Sequence, residues 1–306
     1  MQISITKIRT YKGHEGSVYS LEQSSFPQLF FSGSSDKMVT EWNLLPEGTP
    51  KAIVNVGSII YSLRHIPERK LLLIGVSGGG MHVIDLEKKQ EIKFLVHHKN
   101  GIFDIAISLV HKRIYTASGD GSMAVWSLDD FSLMYSLVVG KEKVRSVRLN
   151  ADESEIAVAS GDGMLRFFDP LTMAEKIVIK GHELSANTVA YHPASDLIVS
   201  GGRDAYLKLW DAKSYRLLRS IPAHNFAIYG IEFSPDGRLA ATASRDKTIK
   251  IWDASTFEIL ARIDKEKYDG HANSVNKILW TKYNNYLLSA GDDRSVMVWE
   301  VKALNV

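Results

Sequence analysis

Five sets of side chains in this chain combine a histidine, a hydroxyl residue, an aspartate and a tryptophan at one constant spacing. The sets are His14, Ser32, Asp36 and Trp42; His98, Thr116, Asp120 and Trp126; His182, Ser200, Asp204 and Trp210; His224, Thr242, Asp246 and Trp252; and His271, Ser289, Asp293 and Trp299. A histidine placed between a hydroxyl group and a carboxylate is the arrangement of a nucleophilic triad. Each set therefore contains the parts needed for nucleophilic catalysis.

The repetition of these sets argues against catalysis. An enzyme needs one such site, with an exposed nucleophile and an oxyanion hole, whereas this chain has the same set at five equivalent places. No acidic, histidine or metal-ligating residues interrupt the pattern to form one unique site. We therefore predict that the chain is not an enzyme and has no catalytic residues.

The sets belong to a longer repeat of seven units, most of them 42 residues long and the last 47. The tryptophan position reads Trp42, Ile84, Trp126, Phe168, Trp210, Trp252 and Trp299. The aspartate position reads Asp36, Gly78, Asp120, Asp162, Asp204, Asp246 and Asp293, and the histidine position reads His14, Val56, His98, Gly140, His182, His224 and His271. A period of this length indicates one supersecondary unit per repeat.

Each unit has the pattern of short strands separated by turns. In Leu239 to Asp253, small and β-branched residues flank the turn residues Ser244 to Lys247, and Ser234 to Gly237 supply the preceding turn. No segment has helical periodicity. We therefore predict an all-β fold of about four antiparallel strands per unit, and radial repetition of such units gives a β-propeller.

Dipeptides at fixed positions carry a family resemblance. Gly13-His14, Gly181-His182 and Gly270-His271, together with Trp210-Asp211 and Trp252-Asp253, resemble the Gly-His and Trp-Asp signatures of WD40 repeats. The resemblance extends from about residue 10 to residue 300. It implies one seven-bladed propeller domain over residues 1–306, with a central channel, that acts as a protein-interaction scaffold. It also implies that the four-residue sets are buried hydrogen-bonded networks that link the strands.

The ends of the chain predict how the propeller closes. Ile3 to Tyr11 alternate like a strand, while only seven residues follow Trp299. We expect the N-terminal strand to complete the last blade, as it does in other WD40 proteins, because this pairing would cover both open sheet edges.

Two units depart from the four-residue pattern. The second unit has lost every member and carries Val56, Ile74, Gly78 and Ile84; the fourth keeps Asp162 but carries Gly140, Val158 and Phe168. Apolar replacement of a whole network can be nearly neutral, whereas partial removal is costly. We therefore expect an apolar second blade and a weak point in the fourth.

Composition excludes several other classes of protein. The net charge is only +2, and there is no cysteine for a disulfide or a thiolate metal site. The N-terminus lacks the apolar region of a signal peptide, and no apolar run could span a bilayer. The adjacent pair His97 and His98 is not expected to bind a metal, because neighbouring strand residues point to opposite faces. We expect a cytoplasmic protein without metal, cofactor or membrane contact.

The channel mouth is the predicted binding surface. By analogy with WD40 proteins, partners contact the position five residues after the histidine, the position two residues earlier, and the position before the aspartate. The residues that we select are Tyr19, Tyr61, Phe103, Lys143, Arg145, Asn187, Arg203, Tyr229, Arg245 and Asn276. Aromatic residues with nearby cations favour a peptide that has a hydrophobic or aromatic anchor and acidic neighbours. Alternatively, the aromatic side chains fill the channel.

Three functional classes compete at this stage. A scaffold or adaptor, expected to be a monomeric propeller that acts within a larger complex, needs nothing beyond the repeat and this surface. A nucleic-acid binder could stack bases on the tyrosines within the arc of arginine and lysine side chains, although the balanced charge argues against it. A catalytic propeller is the least supported class.

Overall fold

The computed structural model describes residues 1–304, which form twenty-eight β-strands in seven four-stranded antiparallel sheets. The chain begins with β1 (Gln2–Lys12) and continues into the first two sheets. These are β2 (Val18–Gln23), β3 (Leu29–Ser34), β4 (Met38–Asn43) and β5 (Lys51–Asn55), followed by β6 (Ile60–Ile66), β7 (Leu71–Val76), β8 (Gly80–Asp85) and β9 (Gln90–Val96).

The next three sheets each use four consecutive strands. The third sheet contains β10 (Ile102–Ser108), β11 (Arg113–Ser118), β12 (Ser122–Ser127) and β13 (Leu133–Val138). The fourth contains β14 (Val144–Leu149), β15 (Ile156–Ser160), β16 (Met164–Phe168) and β17 (Glu175–Lys180). The fifth contains β18 (Ala186–Tyr191), β19 (Leu197–Gly202), β20 (Tyr206–Asp211) and β21 (Leu217–Pro222).

The last two sheets complete the strand order. The sixth contains β22 (Ile228–Phe233), β23 (Leu239–Ser244), β24 (Ile249–Asp253) and β25 (Ile259–Ile263). The seventh contains β26 (Val275–Trp280), β27 (Leu287–Gly291) and β28 (Ser295–Leu304), and β1 pairs beside β28. Within residues 1–304, helical structure is limited to a 3₁₀ turn, Pro67–Arg69, and a one-turn helix, α1 (Lys265–Tyr268).

The N-terminal strand closes the seventh sheet as the sequence predicts. It runs antiparallel to β28, from the pair Gln2 and Leu304 to the pair Lys12 and Ser295. Ile3 and Ile5 pack on the core that the sixth and seventh sheets share. The closure is therefore held by hydrophobic contacts as well as by backbone hydrogen bonds.

The chain falls into two compact units, which we describe separately: Met1–Leu71 together with the chain from Tyr229 onward, and Leu72–Ile228. One core of the first unit surrounds Phe30, Trp42 and Val298. One core of the second unit surrounds Phe167, Val189 and Trp210. The prediction of one domain over residues 1–306 stays a prediction.

Burial explains why the strand sequences differ across a sheet. The second strands, such as β7 and β23, are buried at every residue, and their sequences are runs of small and apolar residues. The fourth strands, such as β13 and β17, are mostly exposed. None of the described helices is long and apolar enough to cross a bilayer.

Candidate partner-binding surface

The histidine sets form buried hydrogen-bond networks. In the first repeat, His14 Nδ1 lies 2.7 Å from the Asp36 carboxylate, and His14 Nε2 lies 2.6 Å from Ser32 Oγ. The indole N–H of Trp42 donates to the same hydroxyl over 2.7 Å. With the imidazole proton on Nδ1, the chain of donors runs from the indole to the hydroxyl, to the imidazole and to the carboxylate.

The fifth and seventh repeats have the same geometry. The imidazole–carboxylate distances are 2.9 and 2.8 Å, and the imidazole–hydroxyl distances are both 2.8 Å. The hydroxyl side chains of all five sets are fully buried. A nucleophile must meet its substrate, so these hydroxyl groups cannot act as nucleophiles in this arrangement.

Backbone groups complete the shell of the aspartate. Asp36 accepts hydrogen bonds from the backbone N–H groups of Glu15 and Met38, in addition to the contact with His14. Burial acts to raise the pKa of Asp36, but these hydrogen bonds outweigh it and lower the pKa below its usual value. Asp36 is therefore a structural acceptor that links two turns: the turn before β2, through Glu15, and the turn before β4, through Met38.

The third repeat contains an extra hydroxyl group. Ser122 Oγ lies 2.9 Å from His98 Nδ1 and donates to Asp120 over 2.6 Å, while His98 and Asp120 are 3.5 Å apart. Burial lowers the pKa of His98 to about 4, and Asp120 only partly opposes this effect. The serine thus separates the imidazole from the charge that would stabilise its protonated form.

The sixth repeat is divided between the two units. In the first unit, Trp252 Nε1 donates to Thr242 Oγ1 over 3.0 Å, and Thr248 donates to Asp246 over 2.6 Å. His224, in the second unit, is buried.

The two irregular repeats are filled in different ways. Ile74 and Ile84 of the second repeat are buried, so apolar side chains occupy the place of the network. In the fourth repeat, Arg166 from β16 donates to both Asp162 and Ser160 over 2.6 Å. The aspartate that the sequence leaves without a histidine therefore has a guanidinium partner. The sequence signal for this pair is the spacing, because Arg166 is a cation only four residues after Asp162.

The first strand of a sheet has a β-bulge at one of the predicted binding positions, five residues after the histidine position. In the first sheet, Val18 pairs with Ser34 and Ser20 with Gly33, so Tyr19 is the extra residue between them. The same register shift occurs at Phe103, Arg145, Asn187 and Asn276. A bulge redirects the side chain of the extra residue. The sequence indicated the position, whereas the bulge was visible only in the structure.

Backbone hydrogen bonds bring the other two predicted positions beside the bulge. The residue before the aspartate position donates its backbone N–H to the backbone carbonyl of the residue two before the bulge residue, at 2.7 to 3.0 Å. The five described pairs are Ser35 with Ser17, Gly119 with Gly101, Gly161 with Lys143, Arg203 with Ser185, and Asp292 with Ser274. Two positions on the first strand and one position that follows 16 residues after the bulge therefore form one local surface in each of these repeats.

In the second unit, this surface has an aromatic side chain with two cations. Arg145 lies over the ring of Phe103 at 5.0 Å, and the ammonium group of Lys143 lies 6.0 Å from the same ring. Lys143 and Arg203 are exposed, and Phe103 is half-buried. Asn187 accepts a hydrogen bond from Ser185 and donates to the Ile228 carbonyl, both within the unit.

In the first unit, the surface is mainly aromatic. The rings of Tyr19 and Tyr61 are 5.5 Å apart and tilted by 56°. Tyr229 and Arg245 are exposed. Asn276 donates to Asp292 over 2.7 Å and to the Val18 carbonyl over 3.2 Å, so this residue has a structural role within the unit.

Metal binding has no support among the described residues, where no group of three or more histidine, aspartate or glutamate side chains has the geometry to hold an ion. His97 lies 2.7 Å from Ser136 Oγ, and its ring packs edge-on against Trp126.

Comparisons with known proteins agree with this architecture. The family model described as "WD domain, G-beta repeat" matches residues 5–43, 89–127, 174–211, 215–253 and 264–300. The crystal structure of the WD40 beta propeller domain of Doa1 superimposes with a TM-score of 0.85 at 19% identity, covering 97% of this chain and 96% of that one. This match confirms the predicted all-β, seven-bladed propeller fold.

Curated relatives are similar over parts of the chain. WD repeat-containing protein 90 of Xenopus tropicalis is 22% identical over 43% of this chain and 8% of its own length. A guanine nucleotide-binding protein subunit beta of Zea mays is 24% identical over 60% of this chain and 53% of its own length. The chain spans less than a quarter of the length of WD repeat-containing protein 90 and of two further relatives.

Proposed function

Because this chain belongs to the WD40 family of WD domain, G-beta repeat proteins, we propose that it is a non-catalytic scaffold that binds a partner protein through the bulge surface. We use the term bulge surface for the ten residues predicted from the sequence, taken in each unit separately: Tyr19, Tyr61, Tyr229, Arg245 and Asn276 in the first unit, and Phe103, Lys143, Arg145, Asn187 and Arg203 in the second. The buried hydroxyl groups of the histidine sets support a role without catalysis.

The observation that carries this proposal is the cluster of Phe103, Arg145 and Lys143. A half-buried aromatic ring with cations on its face resembles the anchor regions of protein interfaces, where aromatic and arginine side chains supply much of the binding free energy. The cations favour a partner segment that carries acidic residues, because opposite charges steer association.

The tyrosine pair of the first unit supports an aromatic or apolar anchor on the partner. Tyr19 and Tyr61 are each partly exposed and lie in ring contact, so a third ring or an aliphatic side chain can pack beside them. One similar protein is by its name a subunit beta, and this supports action as a subunit within a larger complex.

Affinity purification of the tagged chain from lysate, followed by mass spectrometry, tests the proposal. We expect Tyr61→Ala and Arg145→Glu to lose partners that the wild type retains. Tyr135→Ala and Arg216→Glu are matched controls, since both residues are exposed and lie outside the bulge surface.

Equal recovery of every partner by all four variants would place binding elsewhere. Salt-dependent retention of the wild type on a nucleic-acid resin, lost in Arg145→Glu, would instead favour the alternative of nucleic-acid binding. Circular dichroism of each variant shows whether lost binding reflects lost folding.

A further inference from the structure

A cavity of about 300 Å³ lies in the first unit, at the end of β26 that is remote from the bulge at Asn276. Asp236 and Arg238 line it from the turn between β22 and β23, Trp280 from the last position of β26, and Lys302 from β28. None of these lining residues belongs to the bulge surface. The cavity is therefore a separate candidate site.

The indole N–H of Trp280 is a buried donor without an acceptor among the described residues. Its side chain lines the cavity although only 7% of the residue is exposed. The other five tryptophans, Trp42, Trp126, Trp210, Trp252 and Trp299, each donate to a hydroxyl group. Because a buried donor without an acceptor is unfavourable, an acceptor atom that reaches Nε1 from the cavity, once the enclosing side chains move apart, would stabilise the structure.

The charged groups around the cavity favour a negative ligand. Asp236 is already paired, since it accepts hydrogen bonds from Ser234 Oγ and from both the backbone N–H and the Nε of Arg238. Burial acts to raise the pKa of Asp236, but these bonds lower it, so the carboxylate stays charged and paired. The guanidinium of Arg238 retains two further nitrogen atoms, and such a group donates hydrogen bonds only.

A second cation, the ammonium group of Lys302, belongs to β28. Lys302 Nζ is 2.8 Å from Glu300, and most of its side chain is exposed, so it can turn toward a ligand at little cost. The amide side chain of Asn285 lines the same cavity. Three groups that only donate hydrogen bonds, on Arg238, Trp280 and Lys302, thus line the cavity from three separate segments of the chain.

We propose that this cavity binds an organic carboxylate, whose oxygen atoms accept hydrogen bonds from Trp280, Arg238 and Lys302. The carboxylate belongs either to a small acid or to an acidic side chain of a peptide, since both present the same group and the volume admits either. The proposal does not depend on partner binding at the bulge surface.

Fluorine NMR of the chain labelled with 5-fluorotryptophan tests the proposal. The resonance of Trp280 is identified by its absence from Trp280→Phe. The probes are N-acetylglutamate, an uncharged N-acetylglutaminamide of similar size, and a blocked tripeptide with a central glutamate. We expect a saturable shift of the Trp280 resonance with at least one of the two acids and none with the amide.

The two acidic probes distinguish the source of the carboxylate. Saturation by N-acetylglutamate alone indicates a small acid, and saturation by the tripeptide alone indicates an acidic peptide. No saturable shift with either acid, or an equal shift with the neutral amide, would overturn the proposal.

Variants separate binding from structure. Arg238→Gln and Lys302→Gln should each weaken binding of the effective probe by about tenfold, while the exposed Arg216→Gln should not. Trp280→Phe removes the donor but keeps an aromatic ring. It should therefore abolish the rise in melting temperature that the probe gives the wild type. A probe-induced rise that persists in Trp280→Phe would contradict the role of the indole.

Discussion

Arg166 contacts Asp162 in the fourth repeat as a histidine contacts the aspartate in the first, fifth and seventh. Its guanidinium donates to Asp162 and to Ser160, and only 12% of its side chain is exposed. Burial acts to raise the pKa of Asp162, but the hydrogen bonds from Arg166 and Ser160 lower it to about 2. A cation on a neighbouring strand thus replaces a network member that the sequence alone shows only as missing.

Replacing Arg166 by methionine should destabilise the protein by about 1–3 kcal/mol, because a partly buried carboxylate loses its charged partner. Urea denaturation measures the change. The double variant Asp162→Ala/Arg166→Met should recover part of the loss, since no charge is then left without its partner. The exposed Arg216→Met is the matched control. Equal stability of Arg166→Met and wild type would show that the pair contributes nothing.

The stability of the protein should fall as the pH falls from 6.5 to 4, because His98 resists protonation. Its pKa is about 4 in the folded chain and 6.5 in the unfolded chain, so the unfolded state binds more protons across this interval. The contribution is fully present above pH 6.5 and amounts to about 3 kcal/mol at most. Denaturation at a series of pH values measures it, and His98→Gln should flatten this part of the curve.

Removing the hydroxyl of Ser122 should raise the pKa of His98. Ser122 now lies between His98 and Asp120, so in Ser122→Ala the imidazole can approach the carboxylate directly, and the opposite charge favours its protonated form. NMR titration of the His98 ring protons measures the change. Ser136→Ala, which removes a hydroxyl from His97 instead, is the control. A pKa that stays near 4 would mean that burial alone sets it.

Asn276 should prove structural although it occupies a binding position. Its side-chain amide joins Val18 of β2 to Asp292. Asn276→Ala should therefore lower the free energy of unfolding by about 1 kcal/mol and leave partner recovery unchanged. Tyr19→Ala should show the reverse pattern. Thermal melting and affinity purification compare the two, and loss of partners in Asn276→Ala at wild-type stability would reverse the assignment.

Deleting residues 1–10 should lower the melting temperature strongly. Most of the β1 pairing would be lost, the edge of β28 would be exposed, and Ile3 and Ile5 would no longer cover the neighbouring core. Calorimetry measures the effect. Ile8→Ser is a milder control, since Ile8 lies in the bulge of β1 and is 42% exposed. A melting temperature unchanged by the deletion would contradict the importance of the closure.

The seven-unit repeat predicted the all-β propeller, because each repeat has the same strand and turn signals. The closure was predicted from the alternation of Ile3 to Tyr11 and from the resemblance to WD40 proteins. The three binding positions were also predicted in sequence. Their proximity depends on a bulge and on backbone hydrogen bonds such as that from Ser35 to Ser17, which leave no residue signature. No helix was predicted, but Lys265–Tyr268 form the one-turn helix α1, which begins after a cap at Asp264.

The sequence by itself determined the fold and the structural nature of the histidine sets, because the periodicity persists through all seven units and the same set of residue types recurs in five of them. Only the tertiary structure decided the exceptions. Arg166 beside Asp162, Ser122 between His98 and Asp120, and Trp280 without an acceptor all depend on distances between side chains. Packing sets these distances, and the sequence repeat that predicts the strands carries no information about them.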